Sequence, residues 1–264
     1  MLYSEKDPIN GSEMSLATII LAAGKGTRMR SDLAKVLHRV CGEPMVYYSV
    51  DLARKVGSSP IVLVVGHQAE VIKEALSGDD LVYVLQREQL GTGHAVLQAK
   101  DVLSDFAGDV LILCGDVPLL TRQTVESLVT DHRRSRAVVT VLTTMLDAPS
   151  GYGRIVKEND SAVLKIVEDR DATDDEKKIK EINSGIYCVN CRFLFDAVSR
   201  IGNDNVQKEY YLTDIVETAR QMSFQVNAFL IDDSMEVMGI NTIDELHKAS
   251  RIMEERRSLG CPGQ

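Results

Sequence analysis

A chain of 264 residues, 44% of them apolar and 26% charged, has the makeup of a globular protein and is long enough for one large domain or two small ones. Its net charge of −9 argues against a nucleic-acid partner, and no apolar run approaches the roughly 20 residues of a membrane span. Residues 1–15 lack the apolar core of an export signal and read as a polar leader; the five cysteines then read as free thiols in a reducing cytoplasm.

The first element is LATIILA, residues 16–22. A continuous apolar run of this length fits a strand buried on both faces, although periodicity alone does not separate it from a buried helix. It runs into AGKGTRM. Gly24 and Gly26 allow a ligand close to the main chain, and Lys25, Arg28 and Lys35 supply charge that phosphate oxygens match. The spacing fits neither a Walker A loop nor a complete G-x-G-x-x-G, because position 29 is methionine. The stretch reads as a polyphosphate cradle at a strand's carboxyl end, against the plainer reading of a glycine-rich connection with solvated cations.

Strand and helix patterns then alternate. PIVLVV (60–65) is a strand, 67–77 a helix and LVYVL (81–85) a third strand. The segment that follows offers Gln86, Gly91 and Thr92, whose amide, backbone and hydroxyl groups suit a nucleobase edge. Gly91 and Thr92 also fit the start of a helix over 92–103 with Thr92 as cap, where His94 is a packing residue. DVLILC (109–114) is the fourth strand and leads into GDVPLL, which puts Asp116 at a strand end. A carboxylate there can hold Mg²⁺, although a turn aspartate looks the same in sequence. A helix starts at Thr121 and runs to 133, and AVVTVLTT (137–144) is the fifth strand.

The second half is less regular. Residues 153–169 suggest a hairpin, 169–181 a charged loop or short solvated helix, and 182–189 a strand. Gly153, Glu168 and Asn183 are small, acidic and amide groups suited to sugar hydroxyls. Cys188 and Cys191 form a C-x-x-C, read as two thiols where a strand gives way to a helix rather than as a zinc or redox site. Residues 210–221 and 241–257 read as helices with a strand over 224–231 between them. Asn241 then falls at a helix start, where capping is its plainest role. The repeated strand–helix units imply an α/β fold, a mostly parallel central sheet with helices on both faces.

The ordered set LAAGKGTRM, QLGTGHA, GDVPL, GYGRI, IVED, EINSGI and EYYLTD resembles the sugar nucleotidyltransferase superfamily, and within it the pyrophosphorylase domains of the GlmU family. The resemblance covers about residues 16–256 and implies a Rossmann-like nucleotidyltransferase fold, with the domain over 16–257. It implies that Leu21, Ala22, Ala23 and Gly24 line UTP, with Lys25 in the same loop. Gln86, Gly91 and Thr92 would hold uracil. Arg28 and Lys35 would meet phosphates, with Cys114 and Gly115 beside the metal aspartate; family members often carry Tyr where this chain has Cys114. Asp116 and Asn241 would bind Mg²⁺. Gly153, Glu168, Asn183 and Asn241 would face the sugar of N-acetylglucosamine 1-phosphate. The family's left-handed β-helix of hexapeptide repeats has no counterpart in the tail, residues 258–264, so acetyltransfer is not expected. Two other functions stay open: a nucleotidyltransferase for another hexose 1-phosphate, and a catalytically silent subunit that senses sugar nucleotides.

Overall fold

The computed structural model describes residues 15–258 except 25, 77, 160 and 161; the leader to residue 14, the tail from 259 and Lys25 lie outside the described residues. In chain order the strands are β1 (Ser15–Ala22), β2 (Arg39–Val40), β3 (Glu43–Pro44), β4 (Ile61–Val65), β5 (Leu81–Leu85), β6 (Gly108–Cys114), β7 (Val139–Met145), β8 (Arg154–Glu158), β9 (Ala162–Val167), β10 (Glu181–Asn190) and β11 (Val226–Ile231). The helices are α1 (Met45–Lys55), α2 (Ala69–Ala75), α3 (Thr92–Leu97), α4 (Arg122–Ser135), α5 (Cys191–Val198), α6 (Asp214–Gln221) and α7 (Ile243–Ser258).

The main sheet has the order β11-β7-β10-β6-β1-β4-β5, with the β8–β9 hairpin joined to β10. Strand β10 runs antiparallel to both of its neighbours, while the β1–β4, β1–β6, β4–β5 and β7–β11 pairs are parallel. The expected mostly parallel sheet is present, and the reason is visible residue by residue. Along β1, Ala17 and Ile19 point into one core with Val62, Val64, Val110 and Ile112, while Leu16, Ile20 and Ala22 point into another with Leu63, Val65 and Leu111. Each of these strands is apolar on both faces because each face is covered. Helices α3, α5 and α6 cover the first, and α1, α2 and α4 the second. Each fully buried Val, Leu or Ile contributes about 1.5–3 kcal/mol relative to exposure. A third apolar cluster, with Met29, Val40, Met45, Leu119, Ile240 and Met253, binds α7 to the β2–β3 hairpin.

Several boundaries move. The helix expected over 92–103 closes at Leu97 and continues as turns, with Leu103 N donating to Ala99 O. The helix expected from 210 starts at Asp214, because Tyr210 is used as an extended partner of Leu90. Helix α1 and the short hairpin before it were not anticipated. The apolar positions of α1, Met45, Val46, Val50 and Ala53, lie on one buried face, but two tyrosines and a serine interrupt the run. The C-x-x-C motif is two unrelated thiols. Cys188 packs in the second core and Cys191 in the first, on opposite faces of the sheet. Burial pushes the Cys191 thiol up to about 11 and the Cys188 thiol well above its usual value, so neither is a ready thiolate.

Candidate active site

The strand order reverses at β1: the chain passes from β1 to β4 on one side and returns to β6 on the other. Leu21 of β1 lies opposite Cys114 of β6, so the loops after both strands open on one edge. Open α/β sheets place their ligands at such a switch point. The sequence runs Ala22, Ala23, Gly24 along that edge, and Gly115 N donates to Leu21 O at 3.0 Å, prolonging the pairing up to Asp116.

Four residues from three separate segments of the sequence converge there. Lys35 Nζ donates to Asp116 Oδ2 and, at 3.1 Å, to Asn241 Oδ1. Arg28 donates to the same Asn241 oxygen at 2.8 Å. Lys35 and Asp116 are largely but not wholly covered, at 16% and 21% exposure, which leaves the pair reachable by a ligand. Ile240 N donates to Asp116 O at 3.0 Å and ties the loops that carry Asp116 and Asn241 together.

The plain roles weighed for these residues do not hold. Asn241 is not a helix cap. Thr242 and Glu245 form the capping box of α7, in which Glu245 N donates to Thr242 Oγ1 and Glu245 Oε2 accepts from Asn241 N and Thr242 N. The Asn241 side chain is thereby free to face Arg28 and Lys35. Asp116 is likewise more than a turn residue, since its carboxylate engages Lys35 from 81 positions away.

The two loop glycines divide the work. An added Cβ at Gly24 would meet open space, so this position leaves room for a ligand. Gly26 has a packing reason of its own. It has φ +64°, and a Cβ there would fall 2.4 Å from Lys35 Cβ; its missing side chain lets Lys35 pack on the loop. Gln68, which the sequence reading passed over, fixes the other side of that segment: Gln68 Oε1 accepts from Ala34 N at 2.7 Å and its amide donates to Asp32 O.

A second cluster lies after β5. Gln86 is buried, with Nε2 donating to Gly91 O at 3.1 Å and lying 3.0 Å from His94 Nδ1, so the amide nitrogen is committed to the fold. Thr92 is not the cap of α3: Gly91 holds that position, and the Thr92 hydroxyl accepts from Leu212 N at 3.0 Å. Gly91 sits at φ +111°, and a Cβ would come within 2.6 Å of Tyr210 O. The loop is thus clamped against Tyr210–Leu212, which explains why QLGTGHA and EYYLTD occur together. His94 also meets Gln98 Nε2 at 3.2 Å and lies outside the Asp116 cluster.

The third group spans β8, β9 and β10. Asn183 N donates to Gly153 O at 2.9 Å, and Asn183 Oδ1 accepts from Gly185 N. Glu168 Oε1 accepts from Thr213 Oγ1 at 3.2 Å. Burial raises the Glu168 carboxyl pKa, the Thr213 hydrogen bond opposes that, and Asp214 and Asp171 add to the rise. Cys114 contributes a thiol that donates to Gly185 O at 3.5 Å, and burial pushes its pKa up to about 12, so it offers no charge to a ligand.

Comparison with known proteins follows the same lines. The MobA-like NTP transferase domain model matches residues 18–164. The chain is 53% identical over 242 residues to the Bifunctional protein GlmU of Geobacter metallireducens, covering 91% of this chain and 51% of that protein. It is 46% identical over 246 residues to the protein of the same name from Desulfotalea psychrophila, covering 93% and 73%. The chain spans about half the length of most of these curated relatives. In fold it is similar to a UDP-glucose pyrophosphorylase complexed with UDP-glucose, at TM-score 0.75 and 16% identity over 92% of this chain and 100% of that one. It is also similar to a putative glucose-1-phosphate thymidylyltransferase from Bacillus anthracis, at TM-score 0.68 and 19% identity over 90% and 95%. The chain belongs to the MobA-like NTP transferase family, as a nucleotidyltransferase domain of the GlmU type.

Proposed function

We propose that this domain transfers the uridylyl group of UTP to N-acetylglucosamine 1-phosphate, releasing pyrophosphate and forming UDP-N-acetylglucosamine. The observation that carries the reading is the convergence of Arg28, Lys35, Asp116 and Asn241 at the carboxyl edge of β1 and β6. The relatives named GlmU direct the choice of sugar and base.

The donor set suits Mg²⁺. Asp116 Oδ2 and Asn241 Oδ1 are hard oxygens that accept from one common nitrogen, Lys35 Nζ, and so face the same point. Asp116 and Asn241 would hold the ion, which when bound supplies charge neutralisation shared between phosphates. The buried group Asp109, His132 and Cys188 is a poorer fit, with sulfur and nitrogen donors at the opposite end of β6.

A sugar 1-phosphate, with a second pKa of about 6, is mostly dianionic at neutral pH. Its oxygen can attack the α-phosphorus while the bond to the β-phosphate oxygen breaks, and no general base is required. The chain's task is to hold two polyanions in line. Lys35 and Arg28 neutralise the α-phosphate and the departing pyrophosphate, contributions that are individually worth several kcal/mol. Gly24 leaves space for the phosphates, Gln86 offers its amide oxygen to the base, and Gly153, Glu168 and Asn183 face the sugar.

Pyrophosphate release with Mg²⁺ tests this directly, with N-acetylglucosamine 1-phosphate set against glucose 1-phosphate and UTP against TTP. Preference for UTP and the N-acetylated sugar is expected. Preference for another pair would keep the chemistry and replace the substrates; no release with any pair would leave the sensing role.

A further inference from the structure

Tyr187 is an anomaly in the first core. It sits on β10 at 1% exposure, in the apolar cluster with Ile112, Val141 and Ile215. Its hydroxyl nevertheless has no hydrogen-bond partner among the described residues. A buried hydroxyl without a partner costs stability, and phenylalanine would fill nearly the same space without that cost. The position therefore calls for a reason beyond packing.

The neighbourhood supplies one. Alternate residues of a strand share a face, so Asn183, Gly185 and Tyr187 project to the same side of β10. The bulge between them keeps that parity, since Asn183 pairs with Thr143 and Tyr187 with Val141 of β7. The Asn183 side chain lies within reach of the hydroxyl but without the geometry of a hydrogen bond, and burial pushes the Tyr187 phenol pKa far up. Tyr187 also shares its core with Ile166, Leu212 and Ile215, which flank Glu168 and its partner Thr213, so both polar side chains assigned to the sugar border the same cluster. Each of those is tied to the protein through one oxygen, Asn183 Oδ1 to Gly185 N and Glu168 Oε1 to Thr213.

We propose that Tyr187 is a positioning residue of the acceptor site, whose hydroxyl links the Asn183 amide and the Glu168 carboxylate when a sugar phosphate seats and fixes both toward the ring hydroxyls. The proposal rests on the acceptor reading given above. Glu168 and Asn183 do the touching; Tyr187 acts through them.

Tyr187→Phe removes one oxygen and tests it. The sugar phosphate and UTP are titrated separately in the wild-type protein, Tyr187→Phe, Asn183→Ala and the double variant, and the melting temperature of each is measured without ligand. A rise of about five- to tenfold in KM for N-acetylglucosamine 1-phosphate is expected, the size of one hydrogen bond, with KM for UTP unchanged and melting temperature equal or higher. In the Asn183→Ala background the tyrosine substitution should add nothing, because the two act as one unit. An unchanged sugar KM in Tyr187→Phe, with or without a lower melting temperature, overturns the proposal and leaves the hydroxyl a fold-holding group. Wild-type protein that gives no saturable release with any hexose 1-phosphate overturns the acceptor reading itself, and the Tyr187 assignment with it.

Discussion

Asp109 enters β6 and Asp116 lies just beyond its end, and each carboxylate meets a cation. At the entry, Arg133 Nε donates to Asp109 Oδ2 at 2.9 Å, His132 Nε2 lies 3.5 Å from Oδ1, and His132 Nδ1 meets Thr140 Oγ1 at 2.9 Å. Both carboxylate oxygens and both ring nitrogens are engaged, and Asp109, His132 and Cys188 are buried. At the exit, Lys35, Asp116, Asn241 and Arg28 stand partly open, with charges that a phosphate or a metal can take over. Side-chain inventory alone would rank the two ends the other way, since Asp, His and Cys within 4.8 Å resemble a metal triad. Saturation and burial make the first a clasp; accessibility makes the second a candidate site.

Substitution at the two ends should separate most widely. Asp116→Ala and Lys35→Ala are expected to lower pyrophosphate release by a factor of about 10² or more with melting temperatures close to wild type. Asp109→Ala should do the reverse, costing about 2–4 kcal/mol in urea unfolding while release per folded molecule stays near normal. Full activity in Asp116→Ala would remove the exit from consideration.

A subtler contrast lies in pH. Burial raises the Asp214 carboxyl to about 6, with Glu217 and Asp171 adding to it. The folded state then binds more protons than the unfolded chain between about pH 4 and 6, so this group makes stability fall as pH rises through that window. Asp109 behaves oppositely. Burial works to raise its pKa, but hydrogen bonds from His132 and Arg133 outweigh it and hold the carboxyl low. Its contribution is present above about pH 4 and is lost as pH falls through the lower folded value. Asp214→Asn should flatten the slope between pH 4 and 6 and raise stability at pH 7, as read by urea titration at several pH values. A slope unchanged by that substitution would assign the window to other groups.

The smallest effect concerns the thiols. Native protein at pH 8 should leave Cys188 and Cys191 unalkylated by iodoacetamide over an hour, as mass spectrometry would record, because burial holds both thiols protonated. Rapid labelling of either would show an opening that the closed sheet does not provide.

What could be read in advance follows from locality. Strands β1, β4 and β6 are legible because two-sided burial writes a continuous apolar run, and the place of Lys35 and Asp116 follows from loops at parallel strand ends. Two matters were not legible. Helix α1 carries Tyr47 and Tyr48 in its first turn, and the bond of the Tyr48 hydroxyl to Val40 O lies outside any helical period. The duty of Thr92 depends on Leu212, which is 120 residues away. The T-x-x-E of Thr242 and Glu245 was a local signal that identifies the true cap of α7 and so releases Asn241 from that role.

The link from Ile240 to Asp116 has a consequence for how the molecule comes into being. Asn241 stands 206 positions after Lys35, so a growing chain can lay down the sheet and the loops of Lys35 and Asp116 well before the amide oxygen of Asn241 has been made. At ribosomal speed the interval from Asp116 to Asn241 is on the order of ten seconds. Until α7 docks on the β2–β3 hairpin, Lys35 and Asp116 have only each other. Helix α7 therefore acts as a timer, and a nascent chain that stalls before it carries a nearly complete sheet with an unfinished candidate site.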